Sequence, residues 1–168
     1  FVFNYQSPWC DGPDITNMHS LSGSLLRATN PDIDFTLVEL NQFPSLVFKP
    51  YLSGWDVTAT VPLNTYTLHH PEGDVMKISI DDNQPVSASY PVTGYVDNGF
   101  WRILRWDTGT TEHGSSGGPL FDQNGRLRGT LTGGAATCVS PTNDYYAKLS
   151  RMFNITTVTG THLRPWLD

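Results

Sequence analysis

Gly114-Ser115-Ser116-Gly117-Gly118-Pro119 is the stretch that decides the fold, and it lies late in the chain. Two glycines directly after a serine allow a tight backbone turn, in which the hydroxyl stands clear and neighbouring N–H groups can point at one place. Such a turn can hold a nucleophile beside a pocket for a developing oxyanion. Taken alone, the run is also compatible with a glycine- and serine-rich hairpin loop. The residues around it decide between the two interpretations.

The composition restricts the class of protein. Charged residues make up 15% of the 168 residues and aromatic residues 12%, and glycine and proline are abundant at 15 and 12 copies. These values are typical of a loop-rich all-β protein and disfavour disorder. A net charge of −6 argues against nucleic-acid binding, which needs a basic face. No apolar stretch is long enough for a membrane span, and the N-terminus does not resemble a signal peptide.

Short alternating or β-branched runs recur with turn residues between them, which predicts antiparallel strands in a barrel or sandwich. An Asn124-Gly125 pair, which tolerates positive φ, predicts a hairpin turn. Turn residues interrupt the pattern in 41–54, and the last stretch, 159–168, is predicted to hold one short helix. The predicted strands are Phe1–Tyr5, Phe35–Leu40, Val57–Val61, Val75–Ile80, Val86–Tyr90, Trp101–Trp106, Leu127–Leu131 and Tyr145–Leu149.

The residues that flank the serine run, Trp106–Glu112, Pro119–Asp122 and Gly129–Gly134, resemble those of chymotrypsin-like serine endopeptidases. The likeness is closest to bacterial lysyl endopeptidases and extends over nearly the whole chain. It implies a trypsin-like double antiparallel β-barrel, with the first barrel only partly present. In that arrangement, 1–45 is the C-terminal part of the first barrel, 46–56 is the linker, and 57–168 is the second barrel with its C-terminal tail.

The resemblance assigns the catalytic roles. Ser116, the serine before the glycine pair, is the expected nucleophile, and the N–H groups of Gly114 and Ser116 are the expected oxyanion hole. Asp34 begins an apolar run, Phe35–Leu40, that matches the family pattern of an aspartate before a strand, so we expect it to orient the general base. The neighbouring Asp32 is an alternative by spacing alone.

None of the five histidines stands in the family's general-base motif, which should precede the aspartate. These are His19, His69, His70, His113 and His162. We therefore expect the chain to lack an N-terminal segment that carries the base, and we expect the isolated chain to hydrolyse peptides slowly or not at all. The partners implied are a polypeptide substrate and that missing segment.

The substrate pocket is predicted from four positions. A trypsin-type aspartate would stand six residues before the nucleophile, where this chain has Thr110. Lysyl endopeptidases take the carboxylate from a later segment that Asp144–Lys148 resembles, so Asp144 implies a preference for lysine before the cleaved bond. Thr132 replaces a family histidine in the strand that leads to Gly133, which should pair with an extended substrate.

Two further features depart from, or depend on, the resemblance. Ser115 stands where mammalian enzymes carry an aspartate that captures a new N-terminal ammonium, so activation by that ion pair is not expected. The resemblance also implies that Cys10 and Cys138 pair with cysteines outside this chain and not with each other. It implies a secreted or periplasmic enzyme without a cofactor.

The sequence also allows three other interpretations. The serine run fits the elbow of α/β-hydrolases, with Asp144 and His162 in the right order, but a hairpin follows it where that fold needs a helix. A metal site at His69-His70 is disfavoured because adjacent side chains point to opposite faces. A catalytically silent, protease-like binding domain is the main alternative, because it also lacks the histidine.

Overall fold

The computed structural model describes residues 1–10, 12–13 and 18–168, and it is built mostly from antiparallel strands. Eleven strands and two short α-helices occur in these residues. The strands are β1 (Val2–Phe3), β2 (His19–Ser20), β3 (Ser24–Asn30), β4 (Phe35–Leu40), β5 (Thr65–His69), β6 (Lys77–Asp81), β7 (Val86–Ala88), β8 (Phe100–Arg105), β9 (Pro119–Asp122), β10 (Leu127–Gly134) and β11 (Thr142–Lys148). The helices are α1 (Leu149–Asn154) and α2 (Arg164–Leu167).

Seven of these strands form one curled sheet in the order β6-β5-β9-β10-β11-β8-β7, and every pairing in it is antiparallel. Two separate hairpins, β1-β2 and β3-β4, precede it in the chain. The sheet has the form of a half-barrel, and the fold is trypsin-like, which confirms the predicted fold class.

Two hydrophobic clusters form the core, and the second of them sets the position of the β3-β4 hairpin relative to the sheet. The first fills the curl of the sheet and contains Trp101, Ile103, Trp106, Leu120, Leu131 and Tyr146. The second joins the β3-β4 hairpin to β8, β11 and α1, and its members include Ala28, Ile33, Phe35, Phe100, Met152 and Phe153. The hairpin turn is therefore held against the sheet by buried apolar side chains, although no strand of the hairpin pairs with the sheet.

The predicted strand Val57–Val61 is wrong, because this segment forms no strand. The buried guanidinium of Arg128 donates to the carbonyl oxygens of Thr58 and Thr60, and it forms a 2.6 Å ion pair with Asp56. A side chain thus satisfies backbone groups that a neighbouring strand would otherwise satisfy. The same contacts fasten the segment to β10.

The short C-terminal helix is confirmed by α2, whereas α1 was not predicted and replaces the end of the expected strand Tyr145–Leu149. Cys10 and Cys138 are both free thiols on the surface, as expected for cysteines that do not pair with each other. Among the described residues, no helix has the length and apolar character needed to cross a membrane.

Candidate active site

The loop 112–118 presents Ser116 at the surface and buries its neighbour. Ser116 is exposed, whereas Ser115 is 1% exposed. Gly114 and Gly117 have φ of 88° and 82°. Residues other than glycine rarely adopt this backbone conformation, which explains why glycine stands at both positions. The Gly117 N–H donates to Leu131 O at 2.8 Å, so the loop is fastened to β10 directly after the serine.

Asp34 occupies the turn of the β3-β4 hairpin. It follows a 3₁₀ turn, Pro31–Ile33, in a left-handed conformation with φ of 48°, and its side chain is exposed. Its neighbours Ile33 and Phe35 are both buried in the hairpin cluster. The carboxylate is thus aimed by two apolar anchors, one on each side of it.

Ser116 and Asp34 line the same cavity, which has a volume of about 540 Å³. Most of its remaining wall is apolar and includes Trp55, Leu127 and Leu163. The alternative aspartate, Asp32, is not part of this wall, and its carbonyl oxygen instead accepts from the Val96 N–H at 2.8 Å. The hairpin therefore brings Asp34, and not Asp32, to the side of the cleft where Ser116 stands.

Ser116 also lines a second cavity of about 220 Å³, together with Asp144, Gly133 and Gly134. Asp144 is 1% exposed, and its Oδ2 accepts from Trp106 Nε1 at 2.7 Å and from the Thr111 hydroxyl. Burial raises the pKa of the Asp144 carboxyl, and these two hydrogen bonds oppose the rise. The cavity thus has a nucleophile at one place on its wall and a buried carboxylate at another.

The other residues expected in the substrate pocket do not all line the small cavity. Gly133 lines the small cavity, whereas Thr110 lines a neighbouring one of about 740 Å³ and donates to Thr137 O at 3.2 Å. The Thr132 hydroxyl oxygen is buried without a hydrogen-bond partner among the described residues. Thr111 and Trp106, which sequence reasoning did not assign to the pocket, are the residues that bind its carboxylate.

In the described part of the chain, no histidine lines the cavity that Ser116 shares with Asp34, whereas His113 lines the small cavity together with Ser116. No histidine nitrogen in the described part of the chain is hydrogen-bonded to either residue. His19 stacks on Phe48, and His113 is an exposed part of the small cavity wall.

His69 contacts the serine loop through the residue before Ser116, because its Nδ1 lies 2.8 Å from Ser115 Oγ. It is 2% exposed, and its other ring nitrogen faces Ser79 Oγ at 3.0 Å. Both nitrogens are thus bonded to serine hydroxyls, which leaves none for a metal ion. Nothing in the sequence pattern signalled this contact, because it depends on how β5, β6 and the serine loop pack together.

The residues after Ser116 also bear on the hydrolase alternative. They continue into β9, which is a strand of the antiparallel sheet, and not into a helix. The α/β-hydrolase elbow requires a helix at this point. The class of fold is therefore that of the trypsin-like proteases and not that of the α/β-hydrolases.

Comparison with known proteins agrees with that class. The family model described as "Lysyl endopeptidase, C-terminal domain" matches residues 1–147, and the chain belongs to this family. The lysyl endopeptidase of Pseudomonas aeruginosa is 28% identical over 167 residues, an alignment that covers 91% of this chain and 34% of that protein. The chain therefore spans about a third of the length of this curated relative.

Solved structures show the same fold at lower sequence identity. The active form of the Rv3671c protease from M. tuberculosis is similar with a TM-score of 0.50 and 20% identity, over 74% of this chain and 53% of that one. An inactive form of the Rv3671c protease gives a TM-score of 0.50 and 19% identity, over 74% and 60% of the two chains. At this identity the likeness concerns the fold alone.

Proposed function

We propose that this chain is the part of a secreted or periplasmic serine endopeptidase that carries the nucleophile, the orienting carboxylate and the substrate pocket. The observation that carries the proposal is the position of Ser116 at the junction of two cavities, one shared with Asp34 and the other with Asp144. Nucleophilic catalysis at a carbonyl needs a base on one side of the hydroxyl and a bound substrate on the other.

In the proposed reaction, Ser116 Oγ attacks the carbonyl carbon of the scissile bond, and its proton passes to a histidine supplied by an N-terminal segment of the same protein. Asp34 orients that histidine and stabilises its protonated form. The carbonyl oxygen becomes an oxyanion that accepts from the N–H groups of Gly114 and Ser116. The protonated histidine then gives its proton to the departing amine, and water releases the acyl group by the reverse proton path.

We also propose lysine as the residue before the cleaved bond. A substrate ammonium in the small cavity would meet the Asp144 carboxylate, where burial strengthens the charge-assisted hydrogen bond. That carboxylate already accepts from Trp106, Thr111 and the Ala136 N–H, which leaves one of its roughly four acceptor sites for the substrate. A single acceptor suits a compact ammonium better than a planar guanidinium that binds in bidentate fashion.

Labelling with a fluorophosphonate tests the proposal directly. We expect Ser116 to be labelled in the full-length protein and only very slowly in this chain, with no labelling of the Ser116→Ala variant of either. Rapid labelling of this chain would mean that it contains its own base, which contradicts the proposed division of roles. Failure of both proteins to react would identify the chain as part of a silent, protease-like binding domain.

A further inference from the structure

Ser115, the residue before the proposed nucleophile, is fixed by a buried chain of uncharged hydrogen bonds. Its Oγ lies 2.8 Å from His69 Nδ1 and accepts from the Glu112 N–H at 3.3 Å. Since the hydroxyl oxygen accepts from the backbone, its own hydrogen is available for Nδ1. The same loop turns back on itself here, because the Gly118 N–H donates to Ser115 O at 3.0 Å.

His69 connects this loop to the sheet. It is the last residue of β5, and its Nε2 faces Ser79 Oγ on the neighbouring strand β6. With Nδ1 accepting from Ser115, the hydrogen of a neutral imidazole lies on Nε2 and is donated to Ser79. The serine loop also packs directly on His69, because a Cβ added at Gly118 would lie only 3.2 Å from His69 Cβ.

A second contact from the same segment sets the orientation of one proposed oxyanion donor. Three residues after His69, the Glu72 N–H donates to His113 O at 2.7 Å. In a trans peptide the C=O and the next N–H point in opposite directions, so this bond directs the Gly114 N–H away from Glu72. Glu72 itself has a φ of 53°, which is a strained backbone conformation for a residue other than glycine. The Glu72 N–H is held at His113 O in this strained conformation.

We infer that the segment His69–Gly73 positions the oxyanion hole, with the His69 ring holding Ser115 and the Glu72 N–H holding the peptide between His113 and Gly114. This inference rests on the proposed function, since it concerns the N–H groups that would stabilise the oxyanion. It assigns His69 as a positioning residue, because its ring contacts Ser115 and does not touch Ser116. The position that carries a charged aspartate in the mammalian enzymes is thus held here by uncharged groups that are already in place.

The expected size of the effect follows from the donors involved. Removing one oxyanion donor altogether typically lowers the rate by about 10²–10³-fold. Loss of the bond between His69 and Ser115 leaves the donors present but less well directed, so we expect a reduction of about 10–100-fold in kcat. Substrate binding along β10 and at Asp144 does not involve this bond, so KM should change by less than about threefold.

The experiment uses the full-length protein and measures kcat and KM with a peptide anilide that has lysine at P1, together with the rate of fluorophosphonate labelling. His69→Phe removes both hydrogen bonds of the ring and is expected to lower kcat and the labelling rate together. His69→Asn keeps an acceptor near the position of Nδ1 and should recover part of the loss. Ser115→Ala removes only the hydroxyl, so it provides the test if His69→Phe does not fold.

A matched control is available at His162, a second buried histidine whose Nδ1–H donates to Val158 O at 3.0 Å. His162→Phe should lower the thermal midpoint without the fall in kcat. Because Ser115→Ala and His69→Phe remove the same bond, we expect the double variant to be no slower than the slower single variant.

Two results would overturn the inference while leaving the proposed function intact. One is a Ser116-dependent enzyme whose kcat is unchanged in both His69→Phe and Ser115→Ala. The other is a loss confined to KM, or an equal loss in His162→Phe, which would reduce His69 to a general structural role. Failure of the proposed function is distinguishable, because the unsubstituted protein would then show no activity that depends on Ser116.

Discussion

The seven-stranded sheet and the β3-β4 hairpin, which meet at Ser116, differ in how they hold their carboxylates. On the sheet side, Asp144 is buried and accepts hydrogen bonds from Trp106 and Thr111. On the hairpin side, Asp34 is exposed, and no hydrogen bond of its carboxylate is present among the described residues. The seven-stranded sheet thus holds its carboxylate with its own side chains. The two-stranded hairpin holds Asp34 by the backbone and leaves its carboxylate open to a further group.

The same contrast is seen in the surfaces of the two regions. The β3-β4 hairpin and the segment after it expose large apolar side chains, including Leu26 at 63% and Leu46 at 88%. In the sheet, Ile103 and Leu120 are fully buried, and the most exposed large apolar side chain of its strands, Leu104, is 50% exposed. An exposed apolar face beside an unpaired hairpin fits the proposal that further residues of the same protein cover this side.

The largest expected effect concerns Asp34. In the full-length protein, Asp34→Asn should lower kcat by about 10⁴-fold, because an amide cannot hold the histidine in the required tautomer or stabilise its charge. Steady-state kinetics with a lysyl peptide anilide measure this effect. Asp32→Asn, two residues away and outside the cavity wall, is the matched control and should retain activity. A similar loss in both variants would show that the turn, and not the carboxylate, is required.

On the sheet side, Asp144→Asn should lower kcat/KM for a lysyl peptide by about 10²–10³-fold, since a buried charge-assisted hydrogen bond to the substrate ammonium is lost. The variant is compared with the unsubstituted enzyme on lysyl and uncharged substrates. The loss should be confined to the lysyl substrate. An equal loss on both would contradict the assignment of Asp144 to the pocket.

The pH dependence sharpens this assignment. Because burial raises the pKa of Asp144, the carboxylate should take up its proton at a higher pH than an exposed aspartate. Binding of a lysyl substrate needs the ionised carboxylate. As the pH is lowered, KM should therefore begin to rise at a pH above the range in which an exposed aspartate takes up its proton. A KM that stays constant down to that range would contradict the burial of this carboxylate in the free enzyme.

The titration of His69 should have a smaller effect than these substitutions, and the effect should be on the free energy of unfolding. Burial lowers the pKa of its ring to about 4, with a contribution from the nearby His70. A ring whose folded pKa lies below its unfolded value of about 6.5 binds fewer protons in the native state, so its stabilising contribution is complete above pH 6.5 and is lost as the pH falls towards 4. Urea unfolding between these pH values should show a loss of up to about 3 kcal/mol. The His69→Asn variant should lack that part of the loss, and parallel curves for the two proteins would contradict the prediction.

The smallest effect tests the hairpin surface. In this chain, Leu26→Ala should change the free energy of unfolding by less than about 0.5 kcal/mol, because the side chain is already in water. In the full-length protein the same substitution should cost about 1–3 kcal/mol if further residues cover this face. Ile103→Ala, in the core of the sheet, should cost about 2–5 kcal/mol in both proteins. Equal small effects of Leu26→Ala would mean that the face stays exposed.

Local patterns in the sequence predicted the serine loop and the hairpin turn well. The tight turn predicted from the glycine pair is present, Gly125 has the positive φ expected of the Asn124-Gly125 turn, and Asp34 directly precedes β4, as the resemblance implied. These features depend on residues close together in the chain. Side chains that satisfy distant backbone groups were not predictable in the same way.

Two cases show where local reasoning stops. Val57–Val61 has the pattern of a strand, but Arg128, far along the chain, takes the carbonyl oxygens that a strand partner would need. His69 stands in no general-base motif, and its bond to Ser115 arises only when β5 and the serine loop come together. Both contacts join residues that are far apart in sequence, so no periodicity or spacing could reveal them.

The anchoring of Asp34 by Ile33 and Phe35 links chemistry to interior packing. A change in volume at Phe153, which belongs to the same cluster and does not line the cavity shared by Ser116 and Asp34, would tilt the turn without touching the cleft. Variants of this kind should fold and bind substrate yet turn over slowly. A genetic screen that scores only activity would then place core positions alongside the reacting groups, and a parallel measure of abundance would separate the two.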